Sequence, residues 1–161
     1  MKNFISINTI SDICSVSLFI NNKLIQTLEK KEEHSHTKLL PVFFREILAN
    51  NNCVLKNINF IAVSIGPGSY SGIKVSSSFV KGLSLVTKIP IVPVNQFEAF
   101  NFSIKDKKEY YIALHSHREY VYWQLFSNGK NISEQKCSHF SKLKKGTKIY
   151  GYLLNKISSL T

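Results

Sequence analysis

The segment of this sequence best suited to chemistry is the glycine-rich turn at residues 64–74, Ser-Ile-Gly-Pro-Gly-Ser-Tyr-Ser-Gly-Ile-Lys. A largely apolar segment precedes it and a helical pattern follows it, so the turn should lead from a strand into a helix. Its glycines permit unusual backbone angles, and backbone amides at a helix N-terminus favour an anion. The turn is therefore either an anion or nucleotide contact or a purely structural elbow. The residues concerned are Gly66, Pro67, Gly68, Ser69, Gly72 and Lys74.

Cysteine and histidine are the other side chains that could bind a metal ion. The three cysteines, Cys14, Cys53 and Cys137, are widely separated, which argues against a disulfide framework and against a zinc site. Two histidine pairs have a spacing that places both rings on one side of an extended chain. They are either metal ligands or, by default, ordinary surface or capping residues; the pairs are His34 with His36 and His115 with His117. We predict no metal and no cofactor.

The net charge of +11 arises from 21 basic and 10 acidic residues. Such an excess is typical of proteins that contact nucleic acid. Only Arg45 and Arg118 are arginines, however, and lysine lacks the planar group that suits arginine to base and phosphate recognition. The charge therefore reflects either a lysine-rich sequence bias or an attraction to nucleic acid or an acidic partner. The one local cluster consists of Lys142, Lys144, Lys145 and Lys148.

The chain length of 161 residues is that of one domain, or of one domain and a fragment. No apolar run approaches the roughly 20 residues needed to span a bilayer. The N-terminus begins with a strand-like alternation rather than the apolar stretch and cleavage site of a signal peptide. We therefore expect a cytoplasmic protein without membrane contact.

Hydrophobic alternation predicts three successive strands, followed by a helix, a strand, a helix and a strand. Ser35 is the expected N-cap of the first helix, and Asn21-Asn22 is a two-residue turn between the second and third strands. This βββαβα order is that of actin-like and ribonuclease-H-like α/β domains, in which helices flank a mixed sheet. The strands are expected at 4–8, 14–20, 23–29, 60–65 and 91–94, and the helices at 35–50 and 71–87.

The pattern is weaker beyond residue 100. Strands are expected at 110–114, 120–126 and near 147–151, with a hairpin turn at Asn128-Gly129 and a short helix after the last strand. We accordingly divide the chain into an N-terminal subdomain, 1–100, and a C-terminal subdomain, 101–161.

Both predicted helices have a wider apolar face than packing on one sheet requires. Apolar residues of the first helix cover roughly 240° of the helical wheel, whereas a surface helix needs little more than 100°. The second helix has an apolar stripe beside the small residues Ser78 and Gly82, which would allow another helix to approach closely. The excess is covered either by the C-terminal region or by a partner protein. The residues predicted at a partner interface are Leu39, Val42, Phe43, Tyr70, Val75 and Phe79.

Several motifs, in order along about residues 1–126, resemble the TsaB (YeaZ) family. They are the glycine-rich turn, Ile7-Asn8-Thr9, Cys14-Ser15-Val16, Glu33-His34-Ser35, Leu39-Leu40-Pro41, Lys81-Gly82-Leu83, Ile89-Pro90, Glu98-Ala99 and Val121-Tyr122-Trp123. The resemblance implies an actin-like (ASKHA) fold of two related subdomains. Since the chain is short for the family, a reduced second subdomain is expected.

The family resemblance also implies a function. Members assist synthesis of the threonylcarbamoyl group on the adenosine next to the anticodon of certain tRNAs. The implied role is that of a scaffold that activates the related transferase TsaD by pairing through the first two helices, with the ATPase TsaE joining a larger complex. Members also pair with themselves through the same surface, and tRNA would be an indirect partner.

Three positions depart from what catalysis in this superfamily requires. A TsaD-type metal site has two histidines one helical turn apart, after the strand that follows the second helix, and residues 95–100 include none. Asn8 replaces the family's usual aspartate, and His115 stands where a second acidic residue is expected. The resemblance therefore predicts no catalytic residue. The alternative functions are an actin-like ATPase or small-molecule kinase, and a stand-alone tRNA-binding module that uses the lysines near 142–148.

Overall fold

The computed structural model describes residues 1–32, 35–152 and 154, which fall into two compact units, one of residues 1–94 and one from residue 95 onward. Glu33 and His34 of the family motif lie outside the described residues, as does most of the segment where a last short helix was expected. The two-subdomain division at residue 100 stays a prediction.

The first unit consists of a five-stranded sheet and two helices. The strand order is β3-β2-β1-β4-β5, with β2 antiparallel to both of its neighbours and β1 parallel to β4. The predicted βββαβα order is confirmed, and the predicted element ends differ from the observed ones by at most two residues. The elements are β1 (Phe4–Asn8), β2 (Ile13–Ile20), β3 (Lys23–Lys31), α1 (His36–Asn50), β4 (Phe60–Gly66), α2 (Tyr70–Thr87) and β5 (Ile91–Asn95).

The core of this unit follows from the alternation of its strands. Ile5 and Ile7 of β1 are buried, and Val16, which pairs with Ile7 in β2, is buried on the same face. Successive side chains of a strand point to opposite faces, so the apolar half of each strand faces α1 and α2. The core is completed by three residues of α1 spaced three and four apart, namely Leu40, Phe44 and Ile47.

The turn after β2 follows the sequence prediction, whereas the start of α1 departs from it. Asn21 and Asn22 have φ values of 53° and 64°, as the predicted two-residue hairpin turn requires. Ser35 occupies the N-cap of α1, but its hydroxyl donates to the carbonyl of Glu32 at 2.8 Å instead of accepting from the helix. The Ser35 side chain therefore bonds Glu32 and makes none of the capping bonds expected at the start of α1.

Among its described residues, the second unit contains another mixed sheet and one α-helix. The strand order is β10-β6-β7-β8, with β9 also paired to β7 and β10 parallel to β6. The turn at Asn128-Gly129, where both φ values are positive, joins β7 to β8 as predicted. The helix α3 and the strands β8 and β9 were not predicted. The elements are α3 (Gln96–Ser103), β6 (Glu109–His117), β7 (Tyr120–Ser127), β8 (Lys130–Asn131), β9 (Lys136–His139) and β10 (Lys148–Tyr152).

A partly exposed polar connection at Asp106 joins β10 to the chain that enters β6. The carboxylate accepts from the amide of Lys108, from the hydroxyl of Tyr150 at 3.1 Å and from the Lys148 ammonium at 3.2 Å. These hydrogen bonds stabilise the carboxylate and lower the pKa of Asp106. The bond from the Lys108 amide has the largest effect, and the bonds from Lys148 and Tyr150 of β10 lower the pKa further. The last strand is thereby fastened at its first residues.

None of the helices in the described part of the chain has the length and apolar content that a bilayer crossing requires.

The three thiols differ in environment and should differ in reactivity. Cys14 is fully buried on β2, and burial raises its pKa from the ordinary 9.0 to about 11, whereas Cys137 is exposed on β9. Because the thiolate is the nucleophile, a thiol reagent at mildly alkaline pH should modify Cys137 quickly and Cys14 only on unfolding. The raised pKa also means that Cys14 lowers folding stability above about pH 9, since the unfolded chain loses this proton first.

Mass spectrometry of the modified sites over time tests this order of reactivity. Modification of Cys14 at the rate of Cys137 in the native protein would contradict the burial of β2.

Candidate functional site

The glycine-rich turn connects β4 to α2 and uses its polar groups internally. Ser69 is the N-cap of α2, and its hydroxyl accepts from the amide of Gly72 at 3.2 Å. The amide of Ser69 donates to the carbonyl of Ile10 at 2.8 Å, and Gly66 has a φ of 99° that favours glycine. Two amides that an anion would need are thus already bonded within the protein.

The turn also lies against the loop between β1 and β2 at backbone distance. A methyl group at Gly72 would overlap the carbonyl oxygen of Thr9, and one at Gly68 would lie 2.7 Å from the carbonyl oxygen of Ile10. The Thr9 hydroxyl is buried and donates to the carbonyl of Gly72 at 2.7 Å. A phosphate group is larger than a methyl group and does not fit between these segments. This geometry favours the structural elbow over the anion contact, and Lys74 is exposed beyond it, with its ammonium 4.3 Å from the ring centre of Tyr70.

The residues at the expected cofactor positions do not fit a magnesium nucleotide. The side chain of Asn8 accepts from the amide of Ile10 at 3.1 Å and so closes the loop after β1. His115 bonds the carbonyl of Arg118 at 3.0 Å through Nε2, and an imidazole offers no carboxylate oxygen to a hard cation. We derive no step through a nucleotide or its metal.

A TsaD-type metal site does not fit either. Residues 95–100 form the start of α3, where Asn95 is the N-cap and Phe97 is fully buried. His36, from the other histidine pair, donates through Nε2 to the carbonyl of Ser11 at 2.7 Å. Among the residues that the structure describes, no three histidine, cysteine or acidic side chains lie close enough together to hold a metal ion.

An open groove of about 330 Å³ lies between α1 and α2. Phe79, which lines the groove, makes a T-shaped contact with the buried Phe44, with ring centres 5.3 Å apart. The groove walls are mostly apolar, with one ammonium at the rim. The lining residues are Thr37, Leu40, Pro41, Lys74, Val75, Ser78 and Phe79.

Beside the groove, α2 presents an apolar face to solvent near its C-terminus. Leu85 is 72% exposed and Val86 is 84% exposed, although both lie in the last turns of an 18-residue helix. Gly82, one turn earlier, has no atom within 4 Å of the place where a methyl group would stand. We call the side of α2 that includes the groove residues and this exposed end the α2 face, on which the exposed Lys81 also lies: Tyr70, Lys74, Val75, Ser78, Gly82, Leu85 and Val86.

The structure separates the six residues predicted at a partner interface into two groups. Val75 and Phe79 line the groove, and Tyr70 is 72% exposed at the start of the α2 face. In α1, Leu39 and Phe43 are partly buried against the core of their own unit, and Val42 is half-buried. None of these three α1 residues lines the groove.

The wide apolar arc of α1 is therefore used largely within its own unit. The contribution of α1 to the groove comes instead from Thr37, Leu40 and Pro41, which sequence reasoning did not select. Leu40, Phe44 and Ile47 are buried in the core, and their positions fix which side of α1 turns toward α2. Thr37 and Pro41 are four residues apart and therefore lie on one side of α1, next to the buried stripe. This spacing is the sequence pattern from which the two residues could have been selected.

Comparison with known proteins identifies the family. The family model for TsaD, tRNA N6-adenosine threonylcarbamoyltransferase, matches residues 27–151. The chain belongs to this family. TsaB of Buchnera aphidicola from Acyrthosiphon pisum is 31% identical over 135 residues, which is 81% of this chain and 61% of the relative. TsaB of Haemophilus influenzae is 25% identical over 150 residues, or 83% of this chain and 63% of the relative.

The TsaB (YeaZ) membership predicted from the motifs is thus confirmed. The chain spans about three-fifths of the length of these curated relatives. YeaZ from Pseudomonas aeruginosa superimposes with a TM-score of 0.77 at 17% identity, covering 94% of this chain and 75% of that one. The predicted actin-like α/β fold class is confirmed by this likeness and by the mixed sheets described above.

Proposed function

We propose that this TsaB family member is a non-catalytic scaffold that docks on the transferase TsaD and thereby supports threonylcarbamoyl modification of the adenosine next to the anticodon of tRNA. The names of its relatives support the biosynthetic pathway, since they are TsaB proteins of tRNA threonylcarbamoyladenosine biosynthesis. The observation that supports docking is the α2 face beside an open groove. Single exposed apolar residues are ordinary, but Leu85 and Val86 are adjacent and highly exposed on a helix that also lines a mostly apolar groove, and such a surface is typical of a protein interface.

The proposed docking mode is helix against helix. Ser78 and Gly82 are small and lie between the apolar residues of the α2 face, so a partner helix can approach the α2 backbone there. Leu85 and Val86 would then lose their solvent exposure, which is the main source of favourable free energy in such a contact. Pro41 closes the opposite wall of the groove.

An actin-like ATPase or small-molecule kinase is the weaker alternative. Phosphate transfer needs a backbone cradle and a carboxylate for the metal ion, and here the turn is filled by backbone contacts while Asn8 closes its own loop. The non-catalytic role is therefore proposed on the chemistry of these residues. Within it, TsaE would join the assembly through TsaD, two copies of this chain would pair through the α2 face when TsaD is absent, and all would act in the cytoplasm.

Co-expression with TsaD from the same cell tests this proposal. We expect a one-to-one complex in size-exclusion chromatography with light scattering, because one TsaD molecule would cover the α2 face of one copy of this chain. The complex should modify tRNA faster than TsaD alone, whereas the isolated chain should show no magnesium-dependent ATP hydrolysis. Separate elution of the two proteins at micromolar concentration would overturn the docking proposal.

A further inference from the structure

The hairpin between β6 and β7 presents a pair of stacked rings to solvent. His117 and Tyr120 are paired across the hairpin, and their rings lie 5.0 Å apart with an angle of 3° between the planes. Tyr120 is 41% exposed and His117 is exposed, so part of this flat surface meets water. Flat rings at a protein surface are the groups on which unpaired nucleic-acid bases stack.

A second strand supports the stacked pair from the side. His139 of β9 lies opposite Tyr120, and their rings meet edge to face with centres 5.8 Å apart. The amide of Phe140 donates to the carbonyl of Glu119 at 2.8 Å, which fastens the segment after β9 to the hairpin turn. Both contacts hold Tyr120 in place before any ligand arrives.

Cationic side chains lie in this hairpin turn and in the segment that is bonded to it. Arg118, one of two arginines in the chain, is exposed in the hairpin turn between His117 and Tyr120. The segment fastened to that turn continues into Lys142, Lys144 and Lys145, all exposed and without an ion pair among the described residues. No acidic residue follows Glu134 in the sequence, so the lysine segment itself has no carboxylate, while the hairpin turn contains one, Glu119, next to Arg118.

We propose that this hairpin patch, made of His117, Arg118, Tyr120, His139 and the lysines at 142–145, binds unpaired nucleotides of RNA. A base stacks on the exposed rings and Arg118 contacts a phosphate beside it, while the lysines, which lie further along β6 near Tyr111, contact phosphates more distant along the RNA. The inference rests on the proposed function in one respect, that the RNA is the tRNA to be modified. It does not depend on docking through the α2 face, which belongs to the other unit.

The combination of groups distinguishes RNA from an acidic protein partner. Carboxylates would be recognised by the cations alone, whereas the stacked pair adds a preference for flat aromatic ligands. A double-stranded RNA hides its bases and offers only phosphates and sugars to such a patch. The patch should therefore prefer a loop to a duplex.

Fluorescence anisotropy with the full chain and two labelled RNAs tests the proposal. The probes are an unmodified anticodon stem–loop and a fully paired RNA of the same length. We expect tighter binding of the stem–loop, and a loss of about five- to 100-fold for Tyr120→Ala, the range typical of removing one stacking ring. Tyr120→Phe, which keeps the ring, should bind like the unsubstituted chain. Equal binding of the two RNAs, or unchanged binding by Tyr120→Ala, would overturn the proposal.

Charge variants test the phosphate contacts separately. The pair Lys142→Glu with Lys144→Glu should weaken stem–loop binding and flatten its salt dependence by about one to two units of slope. The matched control, Lys2→Glu with Lys56→Glu, changes the net charge equally on the first unit and should have a much smaller effect. Equal losses in both pairs would mean that only the overall charge attracts RNA, and the patch would be rejected.

The same variants keep this proposal distinct from the docking proposal. All hairpin-patch variants should still co-elute with TsaD, whereas variants of the α2 face should lose TsaD and keep stem–loop binding. Failure of RNA binding with an intact complex would reject the patch alone, and the reverse outcome would reject only the docking mode.

Discussion

Replacing Gly72 by alanine is expected to destabilise the first unit by at least about 3 kcal/mol, at the upper end of the usual cost of overpacking a core. The added methyl group would overlap the carbonyl oxygen of Thr9, which is backbone and cannot rotate away. Separation of the two segments would also break the bond from the Thr9 hydroxyl to the Gly72 carbonyl. Thermal unfolding followed by circular dichroism should show a midpoint lowered by more than about 10 °C.

Gly82 provides a matched control within the same helix. An alanine methyl group there meets no atom within 4 Å, and alanine is favoured over glycine in a helix by about 1 kcal/mol. The midpoint of unfolding of Gly82→Ala should therefore rise by a few degrees. The same substitution should thus lower the unfolding midpoint at Gly72 and raise it at Gly82. This difference can be attributed to the backbone contact between Gly72 and Thr9, since both positions are in α2. A similar fall in both variants would mean that α2 is not positioned as described.

Charging the α2 face should abolish the complex with TsaD while leaving the chain folded. The double variant Leu85→Asp with Val86→Asp removes two of the most exposed apolar side chains of the molecule and would place two carboxylates against the partner helix. Burial of unpaired charges is costly, so we expect the affinity for TsaD to fall by about 30-fold or more. The unfolding midpoint should change little at concentrations where the chain is monomeric, because neither side chain is buried in the monomer.

Phe102→Asp serves as the control for surface hydrophobicity. Phe102 is 93% exposed on α3 and lies outside the α2 face. Its replacement should leave binding of TsaD unchanged in a titration by isothermal calorimetry. If Phe102→Asp weakened the complex while the α2 variant bound normally, the partner surface would have to be moved to the second unit.

The sequence alone determined the elements of the first unit and its fold class. Strict alternation in β1 and β2, and the glycine-rich turn between β4 and α2, are local signals that depend on few neighbours. The second unit was predicted less completely. The two-residue strand β8 and the four-residue strand β9 are too short to show a period, and α3 has apolar residues on all sides, so its helical pattern is weak.

Which side of a helix is left over for a partner was decided only by the tertiary structure. The apolar arc of α1 suggested Leu39, Val42 and Phe43 as contact residues, and in the structure Leu39 and Phe43 are partly buried against the core of their own unit, as Val75 and Phe79 of α2 also are. Whether the three α1 residues contact a partner stays a prediction. In α2, Val75 and Phe79 line the groove, and their role at a partner interface stays a prediction, while the exposure of Leu85 could not be inferred from the helical pattern.

The glycine-rich turn also shows that the sequence determines an element, whereas tertiary packing determines which of its groups are free to bind. Its composition determined that a strand would pass into a helix, but not whether its amides would face a ligand or the protein. That choice depends on the approach of Thr9 and Ile10, which are distant in sequence and come within backbone contact only because β1 and β4 are neighbours in the sheet. Local chemistry thus specifies the elements, and long-range packing specifies which of their surfaces remain free to bind.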